Sequence, residues 1–287
     1  MMEANRHSAT ARLGRTILLA ALAGFPALVA GGTALAGDVT LKATYFISIG
    51  GLTIGRAEAD SRFTDTGYAS SITGSTYGLS RFVSDAHAEL AGNGRISGNR
   101  VVPATYKLET NEKGFETHVN MAMRGGSIVD LLAVPRLVQA PDRVPLTENH
   151  KQNVVDPVAA FVVALNRSAR GGESACDRTI RVFDGWQRYD VRLSYKETKA
   201  VSGGNDDYNG DVFVCGARYV PVAGHRPSRE SVQYMADNKR LEIWLAPVKD
   251  TPVMVPYRIV IGTKVGDLVI GARSFNISSG TRQAQVN

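Results

Sequence analysis

Cys176 and Cys215 are the only cysteines in this 287-residue chain, and they are the first residues whose types and spacing define a chemistry. A redox-active pair is usually written Cys-x-x-Cys, which these are not. Two distant cysteines in an oxidising compartment are expected to join as a structural bridge, the alternative being two separate buried thiols. Closing the chain from 176 to 215 would restrict the unfolded state by about 4 kcal/mol on a chain-entropy argument. Asn205-Asp206-Asp207-Tyr208-Asn209-Gly210-Asp211 places oxygen ligands at alternate positions before a glycine, like the front half of a calcium loop. Gly216 stands at the twelfth position, where a bidentate glutamate belongs, so the same residues also read as an acidic hairpin turn. Calcium binding there stays open.

Other chemistry is sparse. Gly74-Ser75-Thr76-Tyr77-Gly78 has threonine where a nucleophile elbow needs serine, and it sits in a strand pattern. His87, His118, His150 and His225 have no zinc-site spacing. Gly92-Asn93-Gly94 followed by Gly98 lacks the spacing and the helix of a phosphate loop and reads as a turn. Asp184 and Asp190 flank Tyr189, but Asp184 is explained by the turn it makes with Gly185. The expectation is a protein without catalytic residues, metal or cofactor. An unrecognised hydrolase site is the least favoured reading.

The N-terminal stretch says where these residues must work. Arg6, Arg12 and Arg15 precede an apolar run from Thr16 to Ala30, and Ala34-Leu35-Ala36 offers small residues for a peptidase. Residues 1–36 are therefore expected to be a signal peptide cut after Ala36, because the run is shorter than the ~20 residues of a spanning helix. The alternative is an anchor that stays attached. No later segment reaches a transmembrane length, so the mature chain is expected to be periplasmic and not membrane-spanning. Its net charge falls from +6 to +4 once Glu3 and the three arginines leave. That is too mild for a nucleic-acid surface.

From residue 37 onward, strand follows strand. Val39, Leu41, Ala43, Tyr45 and Ile47 alternate with polar residues, the period of two that a half-buried strand requires. Asn111-Glu112-Lys113-Gly114 and Asp184-Gly185 are hairpin turns between alternating runs. Tyr189, Val191, Leu193 and Tyr195 share a face. One helix is expected, opening at Asp156 as N-cap with Pro157 at its first position. Val158, Phe161, Val162 and Leu165 make its apolar stripe, Arg167 and Arg170 suit its C-terminus, and Gly171-Gly172 ends it. The fold class is mainly β: a long curved antiparallel sheet, or a partly open barrel or spiral, enclosing one amphipathic helix. Residues 37–277 form a single β-rich domain, and 278–287 a flexible tail.

The ordered set Asp156-Pro157, Cys176-Asp177, Phe183-Asp184-Gly185, Arg188-Tyr189-Asp190 and Cys215 resembles a known family. So do Val102-Pro103 with Tyr106, Ile243-Trp244-Leu245-Ala246-Pro247 and Val255-Pro256-Tyr257-Arg258-Ile259. It is similar to the secreted alphaproteobacterial family called domain of unknown function 3108, from about Asp38 to Phe275. The resemblance brings no activity with it. By analogy it implies a curved sheet closing on a helix, as in envelope-integrity and lipoprotein-carrier folds. The expected function is binding another envelope protein in a scaffold or integrity role. The alternative is a carrier or sensor of a lipophilic ligand or lipoprotein acyl chain, in a cavity lined by Val158, Phe161, Val162 and Leu165.

Overall fold

Alternating side chains turn this chain into one very long antiparallel ribbon. A computed structural model describes residues 38–78, 85–166, 171–203 and 208–280. The first half is a meander of β1 (Val39–Ile49), β2 (Leu52–Phe63), β3 (Gly67–Thr76), β4 (Ala86–Ser97), β5 (Arg100–Glu112), β6 (Phe115–Arg124) and β7 (Ser127–Val134). After a long connection come β8 (Val163–Ala164), the short helix α1 (Gly172–Cys176), β9 (Arg178–Phe183), β10 (Arg188–Ser202) and β11 (Asn209–Ala223). Helix α2 (Glu230–Asp237), β12 (Leu241–Val248), β13 (Val253–Thr263) and β14 (Gly266–Ser279) complete the described chain.

The sheet runs β7-β6-β5-β4-β3-β2-β1-β14-β13-β12-β11-β10-β9, with β8 beside β13. The first and last strands thus pair in its middle, Val39 opposite Ser279 and Ile49 opposite Leu268. Its two free edges, β7 and β9, are joined in sequence by the long connection that carries β8 and α1. Bulges interrupt the register at several pairs, among them Thr44/Tyr45, Asn93/Gly94 and Trp244/Leu245, and bulges bend and twist a ribbon. The curved, mainly β architecture expected from the sequence is what forms, and the sheet stays open rather than closing into a barrel.

The expected helix does not form. Its opening is as read: Asp156 Oδ1 accepts the amides of Val158 at 2.8 Å and Ala159 at 2.9 Å. Only a single 3-10 turn follows, Ala159–Phe161, and Val162 is already extended (φ −100, ψ 105). Val163 and Ala164 then pair with Met254 and Val253, and the Leu165 amide donates to the Pro252 carbonyl. Two β-branched residues in succession had a strand edge to pair with, and that outweighed the helical spacing. Arg167 and Arg170 lie outside the described residues. Gly171-Gly172 does not end a helix but opens α1, where a Cβ on Gly172 would stand 2.2 Å from Tyr195 Cε2.

Two further expectations change. Gly92-Asn93-Gly94 is no turn; it lies inside β4, and its glycines mark close approach. A Cβ on Gly94 would meet the Val102 carbonyl at 2.4 Å, and one on Gly92 the Val158 Cβ at 3.0 Å. The expected flexible tail does not begin at Ser278, since Ser278 and Ser279 still pair with Thr40 and Val39; residues 281–287 lie outside the described set.

Residues 154–165 fill the concave face. Ala159, Val162 and Ala164 pack with Leu41, Phe63 and Phe275. Val163 and Leu165 pack with Leu193 and Leu245 beside the cystine. Val154 and Val158 pack with Tyr106, Val119 and Phe183. One connecting segment therefore belongs to all three hydrophobic clusters, and each Val or Leu it buries contributes about 1.5–3 kcal/mol.

Candidate functional site

The plug is fixed by a buried carboxylate. Asp156 has no exposed surface, and burial raises its pKa to about 6 despite the two amides on Oδ1 that favour the charged form. Its Oδ2 has no hydrogen-bond partner, nor has the buried hydroxyl of Tyr68. Burial, with the Asp156 charge adding to it, also holds the Tyr68 and Tyr106 hydroxyls well above the usual phenol range. Gly92, opposite Tyr106 in the β4–β5 register, leaves the room that the Val158 side chain and Asp156 Oδ1 occupy.

A second anchor closes one end of the opening between the two sheet edges. Asp184 Oδ1 accepts the amides of Trp186 at 2.9 Å and Gln187 at 2.7 Å, so the β9–β10 hairpin is pinned by its own turn residue. Gly185 adopts φ +110 and lies against Val119 and Ala133 of β6 and β7. The Trp186 indole donates to the Pro135 carbonyl at 2.8 Å. Val154 and Val155 bridge the next stretch. The Val154 amide donates to the Gly126 carbonyl of the β6–β7 turn, and Val155 forms an isolated parallel bridge to Val182.

Beyond Val155 no bridge or backbone hydrogen bond among the described residues crosses the gap. There the seam is an open groove of about 360 Å³. Val155, Ala159 and Val162 of the plug floor it, Arg100 and Val101 form one wall, and β9 from Arg178 to Arg181 forms the other. Among the described residues β10 is the only strand paired with β9, so this half of its outer edge has no described strand against it. Arg181 accepts Val155's amide on that side, and alternation puts the amide and carbonyl of Thr179 and the amide of Arg181 there too. Arg178 sits at one end, its guanidinium donating to the carbonyls of Ala164 and Ser174, with its buried Nε unpartnered.

The residues singled out from sequence go to different places. Cys176 and Cys215 are joined (S–S 2.03 Å, Cα–Cα 5.3 Å), tying the end of α1 to β11. Asp156 and Pro157 start the plug's single turn, and Asp184 and Gly185 make the hairpin. Tyr189 lies against Tyr219 with the rings tilted by 42° and centroids 5.3 Å apart, while Asp190 forms an ion pair with Arg188 at 2.7 Å. Val158, Val162 and Leu165 are buried among neighbouring side chains, whereas Phe161 is 37% exposed. Asn205, Asp206 and Asp207, the core of the calcium-like turn, lie outside the described residues, as do residues 1–36. Among the described residues no three His, Cys, Asp or Glu side chains gather as a metal site, and no helix is long and apolar enough to cross a membrane. Sequence reasoning missed Arg100, Arg178, Thr179 and Arg181. Only the run leading into the Asp184-Gly185 turn was visible, and nothing placed Arg100 near it.

No curated protein matches the chain. A crystal structure of a beta-barrel-like protein of domain of unknown function DUF1849 from Brucella abortus is similar over 85% of this chain and 99% of that one. The identity is 9% and the TM-score 0.46. In sequence, residues 42–273 match the family described as "Protein of unknown function (DUF3108)", and with well over half its length matched, the chain belongs to that family.

Proposed function

We propose that this protein is a non-catalytic component of the cell envelope that acts by holding another envelope protein, and that the seam groove is where it does so. The observation that carries the reading is the β9 edge: among the described residues, half of it has no strand against it, and it opens on a groove with a packed floor. An unpaired edge is a template for another chain, and proteins normally cover or blunt it. Periplasmic residence is supported by the arginine-led apolar N-terminus, and the formed cystine suits an oxidising compartment. A lipophilic-carrier role draws less support, because Val158, Val162 and Leu165 pack into clusters rather than facing a chamber.

A photo-crosslinking residue at Thr179, in living cells, tests this directly. A discrete protein adduct is expected from position 179 and none from exposed Thr73 on β3. Fractionation should place the chain in the periplasm. An absence of protein adducts at 179, or a cytoplasmic location, would remove the reading. A stoichiometric lipid in an organic extract of the purified chain would favour the carrier instead.

A further inference from the structure

The seam carries more chemical information than an open edge alone. Among the described residues lining it are three guanidinium groups, Arg100, Arg178 and Arg181, and no carboxylate. Arg100 and Arg181 are exposed and make no ion pair, as holds for most arginines on the described strands; what sets them apart is that they line one groove whose described lining holds no acidic side chain. Unneutralised arginines on facing walls of one groove repel each other, a cost that an anionic occupant turns into attraction.

Shape narrows the occupant further. The open edge from Arg178 to Arg181 is about 13 Å long at ~3.3 Å per residue, enough for four or five residues of extended chain. Main-chain donors and acceptors alternate along it at Thr179 and Arg181. The floor below is Val155 and Ala159, small and apolar, which admits a backbone close to the sheet and rewards an apolar side chain pointing down. Side chains on the other face of such a strand would point up and outward, beside the exposed Arg181 and Arg100. Free phosphate or a lipid headgroup would use the arginines but leave the edge unpaired.

We infer that the seam binds an acidic, extended peptide segment of a partner protein, which adds to β9 as a strand and sets its carboxylates against Arg100 and Arg181. This rests on the reading of the seam as a docking place and names what docks. Recognition is of the strand-addition kind: main-chain bonds hold the segment, and charge with small floor residues selects it.

The probe is a labelled octapeptide alternating glutamate with valine, titrated into the purified mature chain at low salt and followed by anisotropy. Saturable binding is expected, weakened roughly tenfold or more by Gln in place of Glu and by salt. The double variant Arg100→Glu/Arg181→Glu should lose it to a similar extent, while Arg56→Glu on β2 should not. Both arginines are exposed, so thermal melts of the variants should overlay the parent. N-methylation of alternate peptide amides in the pairing register should abolish binding; this arm separates strand addition from simple anion attraction and involves no change to the protein. No binding of the Glu peptide, equal binding of the Gln peptide, or indifference to N-methylation would overturn the inference. If position 179 still crosslinks to a partner in cells, the docking reading stands and only the acidic-strand identity falls; if it does not, both fall.

Discussion

Gly92 lies directly beneath Val158: a Cβ added to the glycine would stand 3.0 Å from the valine's Cβ and 3.1 Å from its Cγ1. The sheet's backbone and a side chain of the segment that fills it meet there. Gly92→Ala is therefore expected to cost about 1–3 kcal/mol through overpacking, and Gly92→Val more. A fall in the urea midpoint with unchanged slope would register this. An unshifted midpoint would mean the segment is not seated as described.

Asp156 predicts a pH dependence of definite sign. Burial raises its pKa in the folded chain to about 6 from 3.8, so the folded state binds the proton more tightly than the unfolded one. Stability from this group is complete below about pH 4 and is lost as pH rises through 6. The difference corresponds to roughly 3 kcal/mol. Asp156→Asn keeps an oxygen for the Val158 and Ala159 amides but cannot ionise. The parent should therefore lose stability relative to the variant between pH 4 and 7, measured as paired urea midpoints. A constant difference across that range would show that Asp156 does not titrate there.

The cystine predicts a stability loss. The Cys176→Ser/Cys215→Ser double variant should unfold about 2–4 kcal/mol more easily, because the unfolded chain regains the freedom of a loop spanning 39 positions. Mapping of non-reduced peptides should show the two cysteines joined, and recovery of both as free thiols from oxidised extract would contradict the structure.

At the hairpin, Asp184→Ala removes the acceptor for two amides at once. A loss of about 1–3 kcal/mol is expected, with faster exchange of the Trp186 and Gln187 amide protons. Unchanged exchange would mean that the turn is held by its contacts with Val119 and Pro135 alone.

What could be read in advance follows from the range of each interaction. Alternation along β1, the Asp184-Gly185 turn and the capping oxygen of Asp156 are local, and each appeared where the residues placed it. Whether Val162-Val163 continues a helix depends on β13, about ninety positions away, offering Met254 an unpaired edge. Gly92 and Gly94 read as punctuation because nothing nearby reveals that another backbone or a valine presses on them. The arginines of the groove belong to β5 and β9, elements brought face to face only by the curvature of the whole ribbon. Local chemistry was legible, and chemistry created by curvature was not.

Pairing of β1 with β14 has a consequence for how such a molecule is made. Its first and last described strands lie side by side in mid-ribbon, with Val39 opposite Ser279, while the hairpins at the rims are built from residues close in sequence. Each meander can zip up as it emerges, but the two must wait for the last strand before they become one sheet, because long-range pairing comes at a high entropic cost. A circular permutant that links Gly280 to Asp38 by a short turn and opens at Gly125-Gly126 would carry this central join as an ordinary hairpin and should assemble faster.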